Sequence, residues 1–252
     1  MPPLFDATDV LVIIPVRNEV TTITGVIEQL HALGLRRVRV VDNGSSDNSA
    51  QVAAQAGAEV VKEPLPGYGR ACWRGLQQIP ADIRWILFCD GDGSDDLTGI
   101  TRWLPLRQRY ELFLSDRTAT AAGRAAMTLV QRWGNWLATR LIWLGWGHRY
   151  RDLGPLRMVQ RQALEQAAMA DRGFGWTVEL QVRAVELGLR IAELPGGYHP
   201  RRGGRSKISG TLRGAVQAGT IILTTIGKLY LRRLVARIGG QRATPSPKGE
   251  RL

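Results

Sequence analysis

Residues 85–96 read WILFCDGDGSDD, an apolar run that breaks directly into four aspartates, Asp90, Asp92, Asp95 and Asp96, spaced by glycine and serine. A short apolar run closed by turn residues reads as a strand buried on both faces, the kind found in a mostly parallel sheet covered by helices. Carboxylates this close repel one another unless cations neutralise them, and Asp-x-Asp spacing lets Asp90 and Asp92 share one hard divalent ion. Mg2+ or Mn2+ held there bridges to a diphosphate and absorbs the charge of a leaving group. A solvated acidic loop is the competing reading, and no His or Cys set supports zinc.

The same pattern extends to both sides. Strands are expected at 10–14, 38–41, 59–61 and 111–114, and helices at about 21–33, 47–57 and 68–79, which makes the chain α/β with helices on both faces of the sheet. Ligands of such sheets sit beyond the carboxyl ends of the strands, so polar residues just after each run are the site candidates. After the first run come Pro15, Arg17, Asn18 and Glu19, where proline stops ladder pairing and lets the backbone turn towards a ligand. After the second run come Asp42 to Asp47, where Asp42 can accept hydrogen bonds from a ribose or base while Ser46 and Asp47 read equally well as a turn and helix cap.

Beyond Ser115 the expected pattern is a long helix at 124–147, an extended piece near 153–159, helices near 161–170 and 177–187 and a strand at 189–194. A basic glycine-rich loop follows at 198–207, then a final helix at about 211–238. The 252 residues fit one sizeable core. Residues 1–208 are expected to form the catalytic domain, 209–240 a basic amphipathic helix, and 241–252 a loose tail. The net charge of +12 is almost wholly C-terminal, since residues 201–252 carry 12 Lys+Arg against 1 Asp+Glu. Such asymmetry points to phosphates, as a nucleotide diphosphate, a lipid headgroup or nucleic acid. Nucleic acid is set aside because the basic charge is not interleaved with aromatics suited to stacking bases, and it gives the acidic cluster no purpose. Two cysteines in apolar stretches indicate no disulfide framework, so a reducing, cytoplasmic setting is the default.

The three polar clusters, taken in order, resemble the family 2 glycosyltransferases, whose GT-A fold is a Rossmann-like, mostly parallel or mixed sheet and pairs a P-x-x-N-E turn with a D-x-G-S turn and a D-x-D metal motif. The stretch KEPLPGYGRACWRG, 62–75, looks like that family's glycine-rich segment and brings in Gly69 and Arg70. Ser115-Asp116-Arg117 looks like its G-S-R element, and Asp152 to Arg157 is loosely similar to its D-x-x-x-G-F-R stretch, with glycine and proline shifted. The segments GFGWTVE, 173–179, and RRGGRSKIS, 201–209, resemble the dolichyl- or polyprenyl-phosphate hexose synthase branch. The resemblance implies an inverting hexosyltransferase using a nucleotide sugar of the UDP-glucose or GDP-mannose type, and Mg2+ or Mn2+ on Asp90 and Asp92. It implies a nucleotide-sugar site at Pro15, Arg17, Asn18, Glu19, Asp42, Gly69, Arg70, Asp90 and Gly91, and a catalytic place for Asp152. It also implies a phosphate and acceptor site at Arg117, Arg124, Trp176, Glu179, Arg202, Ser206 and Lys207. A soluble family 2 enzyme acting on a sugar or small metabolite is the alternative.

Trp133, Trp136, Trp143 and Trp146 fall within roughly 140 degrees of arc on a helix and share their face with Arg132 and Arg140. That combination fits an interfacial helix at headgroup level better than a dry core contact. In the last helix Leu212, Val216, Gly219, Leu223, Ile226, Tyr230 and Leu234 form one stripe. It suits an anionic membrane surface, packing on the catalytic domain, or a homo-oligomer, and the basic charge favours the membrane. No apolar run reaches the roughly 18 to 20 residues of a membrane span, so the expected location is peripheral, on the cytoplasmic face.

Overall fold

The computed structural model describes residues 7–201 and 212–238. Seven strands, β1 (Val10–Val16), β2 (Val38–Asp42), β3 (Glu59–Lys62), β4 (Trp85–Phe88), β5 (Leu112–Asp116), β6 (Arg157–Gln160) and β7 (Ile191–Pro195), form one sheet in the order β3-β2-β1-β4-β6-β5-β7. All neighbouring pairs are parallel except those of β6, which runs antiparallel to both β4 and β5. Helices α1 (Ile23–Ala32), α2 (Ser49–Gln55), α3 (Tyr68–Gly75), α4 (Ala121–Ala126), α5 (Leu129–Trp146), α6 (Arg161–Gln166), α7 (Trp176–Glu186) and α8 (Leu212–Ile238) flank it. The sheet separates two apolar cores, because alternate residues of a strand point to opposite faces. Val10, Val12 and Ile14 join one core with Ile23 and Ile27, while Leu11 and Ile13 join the other with Cys72 and Trp176.

The helix expected at 124–147 is two helices. Met127 takes an extended ψ of 135° and ends α4, and Thr128 then starts α5 with a capping box closed by Gln131. Thr-x-x-Gln is a readable start signal that the tryptophan pattern hid.

The last helix packs on α5 and α7. Its contact face runs through Ile222, Thr225, Ile226, Leu229 and Tyr230, and the Tyr230 hydroxyl donates to the Leu141 carbonyl at 2.5 Å. Ile226 and Tyr230 of the expected stripe are in contact, whereas Leu223 and Leu234 are exposed, because the face that meets α5 is turned by about one residue. Among the described residues no helix is long and apolar enough to cross a membrane.

Candidate active site

Parallel pairing sets the carboxyl ends of β2, β1 and β4 side by side, with Val16 opposite Asp42 and Ile13 opposite Phe88. The three polar clusters therefore meet at one edge of the sheet, around a cavity of about 840 Å³. Of the residues expected there, Pro15, Arg17, Glu19, Asp90, Gly91, Asp92 and Arg117 line it.

Asn18 and Asp42 shape the turns behind the wall. Asn18, at a φ of 56°, donates its amide N–H to Ser45 Oγ at 3.0 Å, and its Oδ1 accepts from the Ser46 amide at 2.7 Å. Asp42 Oδ1 accepts from the Ser45 amide at 3.0 Å. Its neighbour Asn43 does line the cavity; its side-chain amide donates to the carbonyls of Glu63 and Leu65 and its oxygen accepts from Gly67. Gly69 is a packing position. Its amide donates to the Gly173 carbonyl at 3.0 Å, and a Cβ there would stand 2.7 Å from the backbone of Arg172. Arg70 donates its own amide to the Arg172 carbonyl and stays off the wall.

In the acidic loop, Asp92 Oδ1 accepts from the amide and hydroxyl of Ser94 at 2.9 and 2.6 Å, and Asp95 Oδ2 accepts from the Asp90 amide at 3.2 Å. Burial, reinforced by Asp92 and Asp95, holds the Asp90 carboxyl well above the usual range, and burial pushes Asp95 up to about 7. Buried acid that Arg117 and Arg201 offset only in part is what a divalent ion relieves. Among the described residues no group of three or more His, Cys, Asp or Glu side chains is placed to enclose a cation. Asp90 and Asp92 thus fit a hard ion only as two ligands of a set completed by phosphate and water oxygens, the usual Mg2+ arrangement.

The chain after β7 closes over this loop: Asp96 donates its amide to the Gly197 carbonyl at 3.2 Å and His199 to the Ser94 carbonyl at 2.9 Å. Arg201 is thereby brought against Glu19, which it pairs, with its Nε 3.7 Å from Asp92 Oδ2. Arg117 enters from β5. Its guanidinium lies 5.0 Å from the Tyr198 ring centre and is gripped by Asp152, Nε to Oδ2 at 2.7 Å and Nη2 to Oδ1 at 2.8 Å.

Several expectations need correction. Asp152 is enclosed, off the cavity wall and fully engaged by Arg117, so it orients a cation and is not placed to touch a substrate. Trp176 lies in the core between Phe88 and Trp73, with ring centres 6.1 and 5.7 Å away, because the first residue of α7 faces the sheet. Glu179 is a buried clamp whose Oε2 accepts from the amides of Ala170 and Asp171 at 2.9 and 2.6 Å. Arg124 is exposed and donates to the Thr118 carbonyl. Arg202, Ser206 and Lys207 lie outside the described residues. The wall also includes Tyr68, Phe174 and Tyr198, which stand inside the stretches 62–75, 173–179 and 198–207 but were not singled out there.

The family model for glycosyl transferase family 2 matches residues 11–166. The chain is 36% identical over 217 residues to an uncharacterized glycosyltransferase of Mycobacterium tuberculosis, covering 83% of this chain and 94% of that one. It is 26% identical over 217 residues to a dolichyl-phosphate hexose transferase of Haloferax volcanii, covering 85% of this chain and 92% of the other. Among solved structures, glucosyl-3-phosphoglycerate synthase from Mycobacterium tuberculosis in complex with Mn2+, UDP-glucose and phosphoglyceric acid is similar with a TM-score of 0.64 at 20% identity, over 86% of this chain and 79% of that one.

Proposed function

The chain belongs to glycosyl transferase family 2, has the GT-A fold and is a glycosyltransferase, and from that premise we propose that it moves a hexose from a nucleotide sugar to a polyprenyl phosphate at a membrane surface. The donor is of the UDP-glucose or GDP-mannose type. Arg17, Glu19 and Asn43 take the nucleoside end of the cavity, and Asp90 and Asp92 hold the cation that carries the diphosphate. Mg2+ or Mn2+ bound there supplies charge neutralisation to the departing nucleoside diphosphate. Arg117, set by Asp152, and Arg201 add fixed positive charge around the reacting phosphates.

An acceptor phosphate oxygen attacks the anomeric carbon in line, the bond from that carbon to the diphosphate oxygen breaks, and the configuration inverts. A phosphate monoester, with a second pKa of about 6, is already ionised near neutral pH, so the step needs no strong base. This agrees with a site whose enclosed Asp152, behind the wall, is spent on Arg117. Positioning and charge carry the reaction.

The observation that carries the lipid reading is the outer face of α5 with the lip of α8. Leu129, Trp133 and Trp136 are exposed at 78%, 62% and 58%, and Val130, Trp133 and Leu223 run from that face into the cavity wall. Residues 117–151 contain six arginines and no Asp or Glu. Trp143 is flanked by the Arg140 and Arg149 guanidinium groups at 4.3 and 4.5 Å. An apolar, aromatic and cationic surface opening onto a phosphate-binding cavity suits a lipid phosphate in an anionic membrane. The relative acting on dolichyl phosphate supports the same acceptor class.

A second reading is a small soluble phosphorylated acceptor, favoured by the likeness to a synthase solved with phosphoglyceric acid and by cavity arginines that suit either kind of phosphate. Incubation with labelled UDP-glucose or GDP-mannose, Mn2+, and either undecaprenyl phosphate or 3-phosphoglycerate separates the two. Label that moves into organic solvent supports the lipid acceptor; label found only in a water-soluble phosphoglycerate product overturns it.

A further inference from the structure

Helices α5 and α8 meet tightly at one end and part at the other. Where they meet, a Cβ on Gly145 would stand 2.5 Å from the Tyr230 ring, and the ring centres of Tyr230 and Trp146 are 4.7 Å apart. Eleven residues earlier in each helix, about three turns or roughly 16 Å away, stand Gly134 and Gly219. Both line the cavity, and among the described residues a Cβ on either would meet nothing within 4 Å. Glycine inside a helix is destabilising relative to alanine, and close packing accounts for it at Gly145. No such contact with a described residue accounts for it at Gly134 or Gly219, where its effect is to widen the slot between the two helices.

Resting on the lipid reading above, we propose that this slot seats the prenyl chain of the acceptor, and that Gly134 and Gly219 keep it open. Val130 and Trp133 line it from α5 and Ile222 and Leu223 from α8, and no charged residue of either helix is among the described residues on the cavity wall. The polar side chains on the α5 side are tied to backbone. Asn135 donates to the Arg151 carbonyl and accepts from the Leu153 amide, and Gln131 closes the capping box at Thr128. Exposure falls along the lining, from Trp133 and Leu223, exposed at 62% and 39%, through the half-buried Leu153 and Phe174, to the buried Arg117. A chain entering between the helices is thus led to the cationic part of the cavity, which fits an ionised phosphate carried on a branched hydrocarbon. A small soluble acceptor has nothing to place there.

The test is transfer of labelled hexose from the matching sugar nucleotide, with Mn2+ and in detergent micelles, by wild type, Gly134→Leu and Gly219→Leu. The acceptors are undecaprenyl phosphate and dimethylallyl phosphate, whose single isoprene unit ends near the phosphate. Leucine has space at both positions and favours a helix, so the ligand-free variants melt at or above wild type. The ratio of kcat/KM for undecaprenyl phosphate to that for dimethylallyl phosphate falls at least about tenfold in each leucine variant, and falls less in Gly134→Ala, which adds one methyl. An unchanged ratio in either leucine variant, or equal loss on both acceptors, overturns the proposal. If wild type labels neither prenyl phosphate but does label 3-phosphoglycerate, the lipid reading itself fails, and this proposal with it.

Discussion

The Asp152 carboxylate accepts three hydrogen bonds from Arg117, one from its backbone amide at 2.9 Å and two from its guanidinium at 2.7 and 2.8 Å, while fully enclosed. The pair presents a rigid positive group to the cavity and leaves the carboxylate no free lone pair directed at a substrate. An enclosed ion pair is strongly destabilising to break one side at a time. Asp152→Asn is expected to cost roughly 3 kcal/mol of stability and to lower kcat at least about tenfold, and adding Arg117→Gln should cost less than the sum of the two single changes. Thermal melts and steady-state rates on the four proteins check this; additive losses would deny the coupling.

Arg201 reaches Glu19 and Asp92 from the segment after β7, and its charge sits beside the aspartate proposed above to hold a divalent ion. Two cations cannot share that space without repulsion. Arg201→Gln should therefore bind Mn2+ several-fold more tightly than wild type in the absence of nucleotide, measured by calorimetry. Unchanged affinity would show that the arginine does not compete.

How much of this was readable from sequence depends on which link carried the information. Strand ends were readable to within two residues: the apolar runs stop at Pro15, Asp42 and Asp90, but β1 continues through Pro15, which pairs with Val41, to Val16, and parallel pairing brings the three ends together. Helix faces were not. Trp176 and Glu179 begin a helix whose inward side is set by Phe88, far away in sequence, and by the turned backbone of Ala170 and Asp171, which the helical periodicity does not reveal. The α8 stripe was off by about one residue for the same reason: Ile222 and Leu229, which the stripe did not include, lie on the contact face.

The exposed face of α5 predicts a membrane phenotype separable from chemistry. Leu129 and Trp136 lie on that face but off the cavity wall. Replacing both with serine should reduce cosedimentation with phosphatidylglycerol vesicles at least roughly tenfold, each apolar side chain being worth about 1.5–3 kcal/mol of burial. Transfer to a short-chain, water-soluble prenyl phosphate should persist. Equal vesicle binding by the variant would remove this face from the account.

Glu193 gives the pH dependence a definite sign. Burial raises its carboxyl from 4.5 to about 7, while it accepts the amides of Arg151 and Asp152 at 2.9 and 3.3 Å. The folded protein holds this proton more tightly than the unfolded chain, so the contribution is intact below about pH 4.5 and is lost as pH rises to about 7. Glu193→Gln keeps the acceptor oxygen and has no proton to lose. Its melting temperature should sit closest to that of wild type near pH 4.5 and above it at pH 8; a constant offset across that range would contradict the assignment.

The decisive measurement is calorimetric binding of UDP-glucose and GDP-mannose, with and without Mn2+, to wild type and to the Asp90→Asn and Asp92→Asn variants. Wild type should bind one donor tightly only when the metal is present, and both variants should lose that metal-dependent gain while melting as folded proteins. Donor binding that ignores Mn2+, or that survives in both variants, would contradict the claim that these two aspartates hold the sugar nucleotide through a cation.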